Sequence, residues 1–170
     1  VNSMKMQANR NYSSNDIVMT PPDICKAIVE HFRPTGIVMD PCAGTGNFLR
    51  AFQEFGVTVE YTEINSDLYP ELYGDTGNDF FEYNHHVDWI ITNPPWSGIK
   101  TFLKHAMEVA DNVVLLFTIN HLWTKARMRM IYAMGFIIRE ICVFNAPKEL
   151  NASGFTVGCV HLTRTNMSHP

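Results

Sequence analysis

Short apolar runs alternate along this chain with stretches of helical period, and that alternation constrains the fold more than any other feature. Ile37-Val38-Met39 reads as a buried strand, and behind it Phe48, Leu49, Phe52 and Phe55 repeat at helical spacing until Gly56. Val57 to Ile64 reads as a second strand and Val87 to Thr92 as another. A helix over Ile99 to Ala110 leads to the continuously apolar run Val113 to Ile119. A helix near Trp123 to Met134 precedes two more strands, Phe136 to Phe144 and Phe155 to Thr163. The turn-rich stretch Asn65 to Tyr83 has room for one short strand near Leu72-Tyr73. Upstream, Thr20 reads as an N-cap, Pro21 and Pro22 as early-turn prolines and Asp23 as a capping-box acid. That first helix carries Ile24, Ala27, Ile28 and Phe32 on one face and stops at Pro34 and Gly36.

Strands that are apolar on both sides need helices on both sides. The expectation is therefore an α/β fold: a doubly wound, mostly parallel, seven-stranded Rossmann-like sheet ending in an antiparallel hairpin. Residues 1–170 are expected to form one domain, with 1–15 irregular.

No apolar run approaches the ~20 residues that cross a bilayer, and the polar N-terminus has no signal-like core. The four cysteines, Cys25, Cys42, Cys142 and Cys159, are scattered without a C-x-x-C pair. Neither a metal site nor a disulfide framework is expected, and a reduced cytoplasmic setting fits best. His85-His86 lacks neighbouring ligands in sequence and reads as a polar loop. The net charge of −4 provides no broad attraction to nucleic acid. Any such contact falls to a local patch, the best being Lys125, Arg127 and Arg129 with Lys100 and Lys104 upstream. A solvated helix face is an equal reading of that patch.

Open α/β sheets bind ligands beyond the carboxyl ends of their strands. Asp40-Pro41-Cys42-Ala43-Gly44-Thr45-Gly46 lies at such an end, and its glycines let backbone approach a ligand closely. A dinucleotide fingerprint would have a small residue where Leu49 stands. Asp40 also repels a pyrophosphate and attracts a cation, which favours S-adenosyl-L-methionine with its sulfonium and ammonium groups. Glu63, at the end of the second strand, is placed to hold ribose hydroxyls, with Ile64 beside it for the adenine ring. Asp79 would accept from the adenine amino group and Phe80 would pack on the ring; Asp79 as a simple turn cap is the alternative.

Asn93-Pro94-Pro95-Trp96 follows the strand Val87 to Thr92 directly. An exocyclic amine is a poor nucleophile because its lone pair is delocalised into the ring. Two acceptors on its N–H bonds favour the pyramidal form, and the Asn93 side-chain oxygen with the Pro94 carbonyl make such a pair. Pro95 keeps the turn rigid. Trp96 offers a stacking face worth ~1–3 kcal/mol per base.

Asp40 through Phe48 together with Asn93-Pro94-Pro95-Trp96 resembles the class I methyltransferase superfamily, and within it the amino-methylating DNA adenine branch. The resemblance spans nearly the whole chain. It implies a cofactor site built from Thr20, Pro21, Asp40, Pro41, Ala43, Gly44, Gly46, Phe48, Glu63, Ile64, Asp79 and Phe80, with Asp16 to Pro22 closing over the methionine part. It implies Asn93, Pro94, Pro95 and Trp96 as the catalytic group. DNA contacts would come from Trp96, Lys125, Arg127 and Arg129, with Phe155 or Phe144 as the second face against the base; a core position is an equal reading of either phenylalanine. The order of segments resembles enzymes whose target-recognition domain follows the catalytic one, and no such domain is expected here. That leaves a relaxed-specificity or small phage-type enzyme, a restriction-modification type enzyme with a protein partner for recognition, or action on single strands. A duplex target would be flipped from its stack. The same motif also serves RNA bases and protein glutamine, and a non-catalytic cofactor-binding subunit is a third reading.

Overall fold

The computed structural model describes residues 18–65, 68, 79–119, 124–145, 150 and 157–165. Its elements are α1 (Pro22–Phe32), β1 (Ile37–Asp40), α2 (Asn47–Phe55), β2 (Thr58–Tyr61), a single 3-10 turn at Phe80–Glu82, β3 (Val87–Thr92), α3 (Ile99–Val109), β4 (Ala110–Thr118), α4 (Lys125–Ala133), β5 (Phe136–Val143) and β6 (Val157–Arg164). The strands form one sheet in the order β2-β1-β3-β4-β6-β5. β2, β1, β3 and β4 are parallel, whereas β6 runs antiparallel to both β4 and β5. The terminal hairpin therefore inserts its second strand between β4 and β5.

Consecutive strand residues face opposite sides, so each apolar run feeds two cores. Val38, Ile91, Val114, Leu116 and Cys159 pack under α1 and α2, against Cys25, Ile28, Phe48, Leu49 and Phe52. Met39, Ile90, Val113, Leu115, Phe117 and Val160 pack on the other face, against Ile99, Phe102, Leu103 and Met107 of α3 and Ile131 of α4. This double coverage explains why β4 has no polar alternation along its apolar run.

The helix ends follow from local chemistry. Gly56 adopts φ 85° and its N–H reaches the carbonyls of Phe52 and Gln53, closing α2. Thr124 caps α4 by accepting from the Arg127 N–H. α1 departs from expectation, because Pro21 and not Thr20 is the N-cap, and no side chain caps it. Pro21 is extended ahead of the helix and Pro22 is its first residue, and the Thr20 hydroxyl is buried with no partner among the described residues.

Six strands form the sheet where seven were expected. The seventh, near Leu72-Tyr73, lies outside the described residues, as do 1–15. β2 is shorter than the expected Val57 to Ile64, since the chain leaves the ladder after Tyr61 and places Glu63 at its end. β4 starts at Ala110, directly from α3, three residues before the expected Val113. No helix of the described residues is long and apolar enough to cross a membrane.

Phe52 is fully buried between α2 and the sheet. Its replacement in Phe52→Ala is expected to destabilise the fold by about 3–5 kcal/mol in urea unfolding, with little change in slope.

Candidate active site

The chain moves from β1 outward to β2, then returns to the other side of β1 to make β3. Such a reversal opens a crevice at the carboxyl ends of β1 and β3. The Asp40-to-Gly46 loop leaves one of these ends, and Asn93-Pro94-Pro95-Trp96 leaves the other. Fold topology thus brings together two motifs that are about fifty residues apart in sequence.

Asp40 joins the two ends. Its Oδ1 accepts from the Thr92 hydroxyl at 2.6 Å and from the Cys42 N–H at 3.1 Å. Its Oδ2 is buried with no hydrogen-bond partner among the described residues. Burial pushes the Asp40 carboxyl up to about 7, opposed by those two hydrogen bonds and reinforced by the neighbouring Glu63. The same burial raises the Cys42 thiol well above its ordinary range.

Glu63 is buried on the other side of the glycine loop. Its Oε2 accepts from the Gly44 N–H and its Oε1 from the Asn65 N–H, each at 2.7 Å. A carboxylate has about four acceptor positions, so two remain for a ligand. Neither Asp40 nor Glu63 takes part in an ion pair among the described residues. Two buried carboxylates without a resident cation make this end of the sheet suited to a cationic ligand.

The loop itself is pinned from several sides. Gly44 and Gly46 adopt φ 55° and 80°, a region that disfavours side chains. A Cβ on Gly44 would lie 2.8 Å from Met19 Sδ, so the segment before α1 covers this glycine closely. The Ala43 N–H donates to the Thr62 carbonyl and the Thr62 hydroxyl donates to the Pro41 carbonyl. Asn47 Nδ2 donates to the Thr20 carbonyl at 2.8 Å, tying that segment to the start of α2.

Asn93 is half-buried, and its Nδ2 donates to the Val18 carbonyl at 3.0 Å. With its amide nitrogen engaged, the side-chain oxygen is the atom left to accept. Pro94 is buried, and Pro95 and Trp96 are half-buried. Trp96 packs against both cores, which fixes the position of its ring.

The other expected site residues divide clearly. Ile64 stands 39% exposed beside Glu63, an apolar surface left open at the end of β2. Asp79 caps the turn that follows it, accepting from the Phe81 N–H at 3.0 Å. Phe80 is a core residue and not an open face: it is buried against Phe102 and the His105 ring. Phe81, which the sequence reading passed over, is its exposed neighbour. Phe48 is likewise buried, stacked on Phe52, because position two of an amphipathic helix faces the sheet here.

Lys125, Arg127 and Arg129 do not share one face. Lys125 and Arg129 are exposed one turn apart, while Arg127 turns inward over Ile99, Leu103, Leu115, Phe117, Val160 and Leu162, its Nε buried with no partner among the described residues. Lys104 is paired with Glu108 at 3.0 Å. Phe144 packs on the α1–α2 side of the sheet, and Phe155 lies outside the described residues. Thr92 was not singled out in the sequence, and Val18 and Asn47 lay inside expected segments without a role of their own, because a strand-end hydroxyl, a backbone carbonyl and a helix-start amide find their partners only in the fold.

No protein-family profile and no curated protein matches the chain. Solved structures do. Magnesium protoporphyrin IX methyltransferase from Synechocystis, with S-adenosylmethionine bound, superposes with TM-score 0.67 at 15% identity, covering 85% of this chain and 79% of that one. A tRNA m1G37 methyltransferase from M. jannaschii gives TM-score 0.61 at 11% identity, covering 89% and 52%. A Burkholderia thailandensis 1,6-didemethyltoxoflavin-N1-methyltransferase, with S-adenosylhomocysteine bound, gives 0.59 at 14% identity, covering 85% and 78%. The chain has the class I S-adenosylmethionine-dependent methyltransferase fold.

Asp40 generates a pH signature. Its folded value is raised above that of an unfolded aspartate, so the folded state holds the proton more tightly. Ligand-free stability should therefore fall by a few kcal/mol as pH rises from about 4 to about 7, and level off above that. Asp40→Asn should flatten this decline, as read by urea unfolding across that range.

Proposed function

We propose that the chain is an S-adenosyl-L-methionine-dependent N-methyltransferase whose acceptor is the exocyclic N6 of adenine in DNA. The observation that carries this reading is the Asn93 amide, held by Val18 with an oxygen that accepts from none of the described residues, at the same crevice as two buried carboxyl groups that pair with no cation among them. The orphaned oxygen of Asp40 and the spare acceptor capacity of Glu63 fit the cationic and hydroxyl-bearing parts of the cofactor. Asp40, Pro41, Ala43, Gly44, Gly46, Glu63 and Ile64 would hold it, with Thr20 and Pro21 at its edge and Asp79 at the far side. When bound, it supplies an electrophilic methyl group.

The residues of the chain then have separable tasks. Asn93 Oδ1 and the Pro94 carbonyl accept from the two N–H bonds of the target amine, which frees its lone pair. Asn93 keeps its orientation through Val18, and Trp96 keeps its ring position through packing on both cores. No side-chain base is needed before transfer, because the amine proton becomes acidic only after the methyl group is attached. Acceleration comes from alignment and from acceptors fixed in advance. Lys125 and Arg129 are the exposed cations of the expected patch and would meet phosphates, whereas Arg127 is engaged inside. A protein partner that supplies target recognition belongs to the same proposal.

The test is transfer of labelled methyl groups to duplex DNA, single-stranded DNA, RNA and protein, followed by nucleoside and amino-acid analysis. N6-methyladenine in either DNA form is the expected product. Label confined to RNA or to protein glutamine would redirect the acceptor, and no transfer with intact cofactor binding would identify a non-catalytic subunit.

Two substitutions separate the roles. Asn93→Ala should lower kcat by about 10²–10³ while cofactor Kd changes only a few-fold in calorimetry. Glu63→Ala removes two charge-assisted hydrogen bonds and should weaken cofactor binding by about ten- to a hundred-fold.

A further inference from the structure

A second cluster of chemically active side chains lies away from this crevice. His31 lies in the last turn of α1, while Glu140 and Cys142 lie on β5, the outer strand of the sheet, which β4 and β6 separate from β3. His31 Nε2 is 2.7 Å from Glu140 Oε1 and 3.2 Å from Cys142 Sγ, and Cys142 Sγ is 3.1 Å from that same glutamate oxygen. Imidazole, carboxylate and thiol thus converge from positions 109 and 111 residues apart.

The convergence depends on a bulge. Ile138 pairs with Leu162 and Glu140 with His161, so Arg139 is an extra residue in β5. Before the bulge, Phe136 and Ile138 face the α3–α4 core; after it, Cys142 faces the α1–α2 core and Ile141 takes the other side. An extra residue reverses the alternation of a strand. Without it, Glu140 and Cys142 would point away from His31.

From this geometry we infer a site for a zinc-class divalent ion on His31 Nε2, Glu140 and Cys142 Sγ. Nitrogen, oxygen and sulfur donors together suit zinc, which binds them at about 2.0–2.3 Å in a tetrahedron. Such ligands stand about 3.3–3.7 Å apart, so the three side chains need to separate by only about half an ångström. Two anionic ligands neutralise the ion, and the Cys142 proton leaves to solvent on binding. The side chains of His31 and Glu140 are 50% and 42% exposed, which leaves the fourth position to water. The His31 ring is held edge-on against Phe32 at 4.8 Å. Bound there, the ion fastens the end of α1 to the edge strand.

Titration of the metal-free full chain with Co²⁺ tests this. One equivalent should produce visible d–d bands and a thiolate-to-cobalt charge-transfer band, both removed by Zn²⁺, and Zn²⁺ should raise the thermal midpoint. Cys142→Ser should abolish the charge-transfer band and the midpoint shift. His31→Gln and Glu140→Gln, which retain the thiol, should weaken Co²⁺ binding by about tenfold or more. His85→Ala should leave binding unchanged. No charge-transfer band in the wild-type chain, its persistence in Cys142→Ser, or an equal zinc-induced midpoint shift in that variant would overturn the site.

Discussion

The hydrogen bond from the Thr92 hydroxyl to Asp40 Oδ1 ties the last residue of β3 to the last residue of β1, inside the sheet and out of water. Both motifs of the candidate site begin at that bond. A carboxylate buried to this extent is costly, and its neighbours recover only part of the loss through the Thr92 hydroxyl and the Cys42 N–H. The remaining oxygen has no partner among the described residues, and under the proposed function a donor on the cofactor would meet it. Glu63 repeats the arrangement across the glycine loop, with backbone N–H groups in place of a hydroxyl.

A second constraint comes from the segment ahead of α1. Val18 holds the Asn93 amide, Met19 covers Gly44 and Thr20 accepts from Asn47. Three consecutive residues therefore touch both the glycine loop and the Asn-Pro-Pro-Trp turn. Under the proposed function, occupancy of the cofactor crevice and orientation of Asn93 are coupled through this one strip of backbone.

Much of the fold was legible because its periodicities are strong. β1, β3 and β4 are apolar on both faces and read as buried strands, and α1 to α3 carry regular apolar stripes. The expectation of a seventh strand rested on Asn65 to Tyr83, which has no sustained period, and the sheet of the described residues has six. Of the candidate site, the motif positions could be placed from sequence: Asp40 ends β1, Gly44 and Gly46 follow it, Glu63 follows β2 and Asn93 follows β3. Phe48 and Phe80 are buried in the two cores, and sequence does not distinguish an aromatic that faces a ligand from one that faces the core. Arg127 fails for a related reason: a helix turns by about 100° per residue, so alternate basic residues diverge instead of forming a patch.

By itself the sequence determined the layered α/β class, the order of the elements and the two loops that meet at the candidate site. These rest on local properties: hydrophobic period, glycine and proline backbone limits, and residue type. Tertiary structure decided which distant atoms meet. It gave Asp40 its hydroxyl partner 52 residues away and gave Asn93 its orienting carbonyl 75 residues away. It also gathered His31, Glu140 and Cys142, whose cysteine had looked isolated in a chain with no ligand spacing. Strand register and a single bulge produce those meetings, and both are set by packing over the whole sheet, a quantity that no local window of residues contains.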